Sequence, residues 1–181
     1  IAFDWESYII VFLNGNGLVA NGPLPPGVLG YEAPPAGSNP VVYRMVDGKP
    51  ERRPIEEARR LLAEAGYPDG RDASSGRPLI LQYDAQTSGD SAMFDWMRQQ
   101  TAKLGIQLEL RGSDYNRFQD KMRKGAAQIF FWGWNADYPD AENFLFLFYG
   151  PQGKAKHGGE NAGNYSNAEY DRLFEQMKSL D

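Results

Sequence analysis

The feature that most constrains the fold is the alternation of short apolar runs with amphipathic stretches between residues 79 and 134. Residues 79–83 are mostly apolar and predict a strand, and 91–104 carry apolar residues at helical spacing. Residues 106–110 alternate apolar and polar side chains, which is typical of a half-buried strand. Helical connections between strands imply a parallel sheet with right-handed crossovers, and we expect 79–83 to lie between the other two strands.

The pattern continues with a second helix and a third strand. Asp114 is placed to cap a helix that carries Phe118 and Met122 on one face. Residues 128–134 are apolar on both faces, which predicts a buried strand in a central position. The sequence therefore predicts an α/β fold whose core is a parallel βαβαβ sheet with flanking helices.

Three further helices are predicted outside this core. Residues 1–14 show helical spacing that ends at Asn14-Gly15, and 54–65 begin at a proline and end before Gly66. Ser166 and Glu169 have the spacing of a capping box, and the apolar stripe that follows runs to Leu180.

The segment from residue 15 to residue 54 is rich in glycine and proline and shows no clear periodicity. Disorder is one interpretation of such a segment. The aliphatic and aromatic residues spread through it favour the other, a long ordered loop that packs on a core.

The composition excludes several classes of function. The chain has 181 residues with 19 Lys+Arg against 24 Asp+Glu, a net charge of −5, which argues against nucleic-acid partners and anionic lipid. It has no cysteine and one histidine, so disulfides, thiolate metal sites and paired-histidine sites are excluded. No apolar stretch reaches the roughly 18 residues of a membrane span. Aromatic residues make up 13% of the chain, which suggests surfaces built to bind a ligand.

The candidate binding residues follow the third predicted strand, because open α/β sheets bind ligands beyond the carboxyl ends of their strands. They are Gly133, Trp134, Asn135, Ala136 and Asp137. The glycine permits close approach of a ligand, the indole offers an apolar wall and a donor, and the carboxylate could pair with a ligand cation. The residues alone leave open whether Asp137 binds a ligand or caps the next helix.

A hydrolase is the alternative function, with Asp137 and either Asp140 or Glu142 as its pair of acids. Residues 140 and 142 fall where a helix begins, however, and acids are favoured there by the helix dipole, so Asp140 is predicted to be a cap. No nucleophile motif is present, and His157 is predicted to be a solvated loop residue. The residues therefore predict binding without catalysis, cofactor or metal.

Four stretches in order along the chain together resemble the extracytoplasmic solute-binding proteins of peptide-type ABC transporters, the oligopeptide-, dipeptide- and nickel-binding family. They are ANGPLPPG at 20–27 with Gly30-Tyr31, EEARRLLAEAGY at 56–67, GWNADYPD at 133–140 with Asn143-Phe144, and NYSNAEYD at 164–171. Ala141 stands where the family often has proline.

The resemblance implies a fold of two lobes that close on a ligand. Residues 1–181 would form a single lobe, most of the C-terminal one, as an excised piece of a longer polypeptide. It also implies an ordered loop at 15–54, no enzymatic activity, a periplasmic or lipid-anchored extracytoplasmic location without a targeting signal in this segment, and ABC permease subunits as partners of the whole protein.

The same resemblance implies roles for the candidate site. In peptide-binding relatives, the aspartate matched by Asp137 holds the α-ammonium group of the ligand, and the residues matched by 133–136 line the pocket. Because relatives also take nickel chelates, haem or sugars, the ligand, a peptide or another small solute, stays open.

Overall fold

The computed structural model describes residues 1–86 and 91–179. Seven α-helices lie in this part of the chain: α1 Trp5–Leu13, α2 Ile55–Glu64, α3 Ser91–Ala102, α4 Tyr115–Lys124, α5 Glu142–Leu145, α6 Lys154–His157 and α7 Ala168–Lys178. Five strands lie between them: β1 Tyr43–Val46, β2 Lys49–Arg52, β3 Ile80–Gln86, β4 Gln107–Ser113 and β5 Ile129–Phe130.

The main sheet is parallel and has the strand order β4-β3-β5. This confirms the predicted α/β fold and the prediction that the strand beginning near residue 79 is central. Both β3 and β4 extend several residues past their predicted ends. The longer strands carry Asp84 and Ser113 into the sheet, and both residues are buried.

The prediction of a buried central strand over 128–134 is wrong. The strand β5 contains only Ile129 and Phe130 and lies at an edge of the sheet. Phe131 is 67% exposed, and the chain then leaves the sheet. The apolar residues that suggested a long strand serve instead as aromatic packing groups beyond its end.

The helices begin and end largely where capping residues predict. The Asp114 carboxylate accepts a hydrogen bond from the backbone N–H of Arg117 at 3.0 Å, and Gly125 ends α4 with a φ of 62°. The capping box was assigned to the wrong residue, since the side chain of Asn167, rather than Ser166, accepts the N–H groups at the start of α7. Leu180 lies outside the described residues.

The glycine- and proline-rich segment contains an antiparallel hairpin that the sequence analysis missed. Strands β1 and β2 pair with Val46 opposite Lys49, so Asp47 and Gly48 form a two-residue turn. Their φ angles are 49° and 75°, and a type I′ turn requires positive φ at both positions. The predicted uninterrupted loop over 15–54 is therefore wrong in its second half.

The described residues form two compact units. The first takes in Ile1–Asn21, Ala33–Tyr83 and the segment that ends at Arg111. Trp96 of α3 is buried in it and packs against Trp5 and Tyr8 of α1, with 4.9 Å between ring centroids in both pairs. This aromatic cluster holds α1 on α3.

The second unit takes in Gly22–Glu32, the end of β3 from Asp84, and the segment that begins at Gly112. Phe118 and Met122 of α4 and Phe174 of α7 are buried in it. All the candidate binding residues belong to this unit. The assignment of the whole chain to a single lobe stays a prediction.

Candidate ligand-binding site

The candidate site begins where the chain leaves β5. Trp132 packs against Phe118 of α4 with 5.6 Å between ring centroids, and the Nζ of Lys154 lies 5.1 Å from the centre of its ring. Trp134 packs edge-on against Phe146 at 5.1 Å. The two tryptophans therefore fix the path of the chain up to the predicted binding residues.

Asn143 of α5 fixes the next part of the segment. Its side chain is 4% exposed, and its Oδ1 accepts a hydrogen bond from the indole Nε1–H of Trp134 at 3.0 Å. The same oxygen accepts the backbone N–H of Asp137 at 3.1 Å. One buried acceptor thus holds both ends of the segment 134–137, and the indole donor predicted to face a ligand is bound to the protein instead.

Asp137 does not cap the following helix. Its side chain is exposed, and its carboxylate has no hydrogen bond or ion pair with any residue that the structure describes. The neighbouring Asp140 contacts the start of α5, because its Oδ1 accepts the backbone N–H of Glu142 at 2.7 Å. The N-cap position itself is Ala141, which forms no side-chain cap hydrogen bond. The prediction that Asp140 is the N-cap is therefore wrong by one residue, although its carboxylate does bind the backbone at the start of the helix.

A pocket of about 320 Å³ lies next to this segment, and residues of α5 and α7 form part of its lining. Its walls include the aromatic side chains of Trp134, Phe146 and Phe174, and Asp137 lies at the wall. The pocket therefore combines apolar surface with an unpaired negative charge, which suits an organic cation.

The other charged groups of this pocket have partners within the protein. Glu142 accepts a hydrogen bond from the hydroxyl of Tyr138 at 3.1 Å, and Lys178 lies 3.9 Å from Glu175. Tyr149 donates a hydrogen bond to Glu175, and this bond raises the pKa of the Tyr149 hydroxyl. Neither Glu142 nor Asp137 has an ion pair with a described residue, and Asp137 is the carboxylate of this pocket that also lacks a hydrogen bond.

Trp134 also lines a second cavity, of about 150 Å³, together with Gly133. Of the five predicted binding residues, the structure thus places Gly133, Trp134 and Asp137 at these two cavities. Asn135 and Ala136 are exposed and line neither of them.

The residue that the sequence analysis missed is Asn143. It lies in the third of the four family-like stretches, and its role depends on two donors that fold back onto it from six and nine positions earlier in the sequence. The hydrolase alternative loses one of its acids, because the Asp140 carboxylate is bound to the backbone of α5.

Two further observations concern metal ions and membranes. In the part of the chain that the structure describes, no three acidic, histidine or cysteine side chains cluster in a way that could hold a metal ion. None of the helices described has the length and apolarity needed to cross a bilayer.

Comparison with known proteins then defines the class. Residues 1–156 match the family of bacterial extracellular solute-binding proteins, family 5, in its middle region. The chain belongs to this family. The hydrolase alternative has no support among these relatives, which are binding proteins.

Individual relatives are similar along almost the whole chain. The Heme-binding protein A of Haemophilus influenzae is 26% identical over 99% of the chain and 29% of its own length. The Oligopeptide-binding protein OppA of Bacillus subtilis is 26% identical over 98% of the chain and 30% of its own length. The chain therefore spans about three tenths of these relatives.

The fold is also that of solved periplasmic binding proteins. The DppA protein of Helicobacter pylori, solved in complex with the peptide STSA, superposes with a TM-score of 0.76 at 21% identity. The superposition covers 99% of this chain and 31% of that protein. This likeness confirms the predicted type of fold.

Proposed function

We propose that this chain is part of the substrate-binding component of an ABC importer, located outside the cytoplasmic membrane. The complete protein would capture a peptide or a similar small solute and deliver it to the permease subunits of its transporter. Family membership supports this proposal, and so does the similarity to a heme-binding protein and an oligopeptide-binding protein. We propose no catalytic step.

We further propose that Asp137 binds a positively charged amino group of the ligand. The observation that carries this is the carboxylate itself, which lies at the wall of a 320 Å³ pocket and has no partner among the described residues. An ammonium group shut away from water needs a counter-charge, because an unpaired buried charge is costly. Asp137 supplies that counter-charge, and Gly133 to Ala136 would line the approach to it.

The pocket walls add apolar contact to this charge. Trp134 and Phe146 present aromatic surface to the pocket, and the hydrogen bond to Asn143 keeps the indole in place. A rigid aromatic wall loses little conformational freedom when a ligand binds, so its contacts contribute more fully to affinity.

The experiment that tests the function uses the full-length protein. Ligands that co-purify with it are released by denaturation and identified by mass spectrometry, and the compounds found are then titrated by calorimetry. We expect peptides or other small solutes that carry a free amino group. We also expect these compounds to stay intact when they are incubated with the full-length protein. Release of hydrolysis products, or a ligand set without amino groups, would contradict the proposal.

A further inference from the structure

The chain contains three asparagine–glycine pairs, and all of them lie within residues 14–22. They are Asn14-Gly15, Asn16-Gly17 and Asn21-Gly22. Asparagine is prone to lose its side-chain amide before a glycine, because glycine has no side chain to shield its own backbone nitrogen and permits many backbone conformations. Since the three pairs share this sequence, the structure decides which of them reacts.

The reaction needs no enzyme, and its co-reactant is water. The backbone nitrogen of the glycine loses its proton to hydroxide and attacks the side-chain Cγ of the asparagine. The new bond closes a five-membered succinimide ring, and the Cγ–Nδ2 bond breaks as the side-chain nitrogen takes up a proton from water and leaves as ammonia. Water then opens the ring at one of its two carbonyl carbons, which leaves aspartate or isoaspartate. The side chain must therefore be free to turn towards the next nitrogen.

Asn21 is held through its side chain. Its Nδ2 donates a hydrogen bond to the backbone oxygen of Val19, and its Oδ1 accepts the backbone N–H of Asn39, both at 3.3 Å. The residue is also partly buried. The amide has to leave both partners to react, and the loss of two hydrogen bonds of ordinary strength lowers the reactive population roughly 10-fold or more.

Asn14 is held through the backbone. It is the residue after the last turn of α1 and has a φ of 50° and a ψ of 36°. The nitrogen that would attack its side chain belongs to Gly15, whose N–H group donates to the backbone oxygen of Ile9 at 3.0 Å. A bond of this kind satisfies a carbonyl group at the end of the helix. Deprotonation of Gly15 would break it, so the end of the helix protects Asn14.

Asn16 lacks both kinds of restraint. Its side chain is exposed and has no hydrogen bond with any residue that the structure describes. The N–H group of Gly17 donates to the backbone oxygen of Gly15 at 3.1 Å, and a bond between residues two apart closes a single tight turn instead of a helix. Exposed turns open locally at little cost in free energy. Asn16 thus combines a free side chain with the least restrained attacking nitrogen.

We propose that Asn16 is a site of spontaneous deamidation in the folded protein and that the fold protects Asn14 and Asn21. The modification does not depend on the proposed function. It places a carboxylate within residues 7–31, a stretch that contains no Asp, Glu, Lys or Arg. Because position 16 is exposed, water solvates the new charge. The modified protein therefore stays folded and accumulates as a more acidic form.

The test incubates the full-length protein at mildly alkaline pH in ¹⁸O-labelled water. Opening of the ring incorporates an oxygen atom from the solvent, which distinguishes conversion during the incubation from conversion during later handling in ordinary water. Tandem mass spectrometry of the digested protein gives the rate at each asparagine. We expect Asn16 to convert roughly 10-fold faster than Asn21, and also faster than Asn14. In urea the three rates should become similar, because the protecting hydrogen bonds are lost.

Gly17→Ala tests the identity of the attacking nitrogen. Gly17 has no positive φ angle, and an added Cβ would meet the side chain of Ile9 at an ordinary contact distance of 3.5 Å. The fold should therefore accept the methyl group, which shields the nitrogen, and conversion at Asn16 should slow several-fold. Gly22→Ala is the matched control, since a Cβ there would meet no described atom within 4 Å, and it should leave the rate at Asn16 unchanged.

Circular dichroism shows whether Gly17→Ala is folded. If it is not, Asn16→Gln replaces it, and the more acidic form should then disappear, because the longer side chain does not close the five-membered ring. Three results would overturn the proposal. They are the absence of labelled oxygen at position 16, a rate at Asn14 or Asn21 that equals the rate at Asn16 in the folded protein, and an unchanged rate at Asn16 in folded Gly17→Ala.

Discussion

Asp84 and Asp137 both belong to the second unit, but their carboxylates differ in burial and in ion pairing. Asp84 lies in the central strand β3, is 1% exposed and forms an ion pair with Lys121 of α4. Asp137 lies beyond the end of β5, is exposed and has no ion pair with a described residue. The first charge is compensated inside the protein, and the second is left available for a partner from outside.

The difference has a simple energetic basis. A buried charge must be paired, because the loss of its hydration otherwise costs several kcal/mol. The Oδ2 atom of Asp84 has no hydrogen-bond partner in the described structure, so the pair with Lys121 carries most of this compensation. Asp137 pays no such cost in the absence of ligand, because water solvates it. A ligand that excludes this water must supply the missing positive charge.

The largest effect on stability is expected from Lys121→Met. The change leaves the buried Asp84 carboxylate without its counter-charge, so the free energy of unfolding should fall by about 3 kcal/mol. Urea denaturation measures it. Lys124→Met is the matched control on the same helix, because Lys124 and Asp120 form an exposed pair whose loss should cost less than about 1 kcal/mol. If the two changes lower the free energy of unfolding equally, the ion pair of Asp84 and Lys121 stabilises the fold no more than an exposed ion pair does.

The second prediction concerns the residue that holds the exposed segment. Asn143→Ala leaves the Trp134 indole and the Asp137 backbone N–H without their acceptor, so the free energy of unfolding should fall by about 1–3 kcal/mol. Ligand affinity should fall as well, because the Asp137 segment loses its anchor. Asn135→Ala, a change at an exposed position, should alter stability by less than about 0.5 kcal/mol. An Asn143→Ala protein with wild-type stability would remove the basis for an anchored site.

The third prediction compares two neighbouring aspartates in the exposed segment. Asp140→Ala removes the hydrogen bond to the backbone of Glu142 and should cost about 1 kcal/mol of stability. Asp137→Ala removes no contact among the described residues and should change stability by less than about 0.5 kcal/mol. Thermal unfolding of both variants checks the difference. A larger loss for Asp137→Ala would mean that its carboxylate is structural.

The sequence predicted the longer helices α1, α2, α3, α4 and α7 because each carries local signals, whereas it placed His157, the last residue of the short helix α6, in a loop. The caps at Asp114 and Pro54 and the glycines after α2 and α4 act over a few residues and need no information about the rest of the chain. The hairpin over 43–52 also had a local signal, the Asp47-Gly48 turn, but Pro50 within β2 obscured the strand pattern.

The candidate site was only partly predictable, because its geometry depends on contacts between residues that are far apart in the sequence. An apolar run such as 128–134 does not show by itself whether its aromatic residues pack in a sheet or line a cavity. That choice depends on Phe118, Phe146 and Asn143, which come from other parts of the chain. The sequence likewise left open whether Asp137 is a cap, and the structure answers this because the N-cap of α5 is Ala141 and the carboxylate bound to the start of that helix is Asp140.

The most direct test of the account is a double-mutant cycle on Asp137 and the ligand's amino group in the full-length protein. A peptide that binds the wild type is titrated by calorimetry in its free and N-acetylated forms, into wild type and Asp137→Asn. We predict that Asp137→Asn weakens binding of the free peptide by about 2–5 kcal/mol and leaves binding of the acetylated peptide almost unchanged. Equal affinity of wild type and Asp137→Asn for the free peptide would contradict the assignment of Asp137 as the ammonium-binding residue.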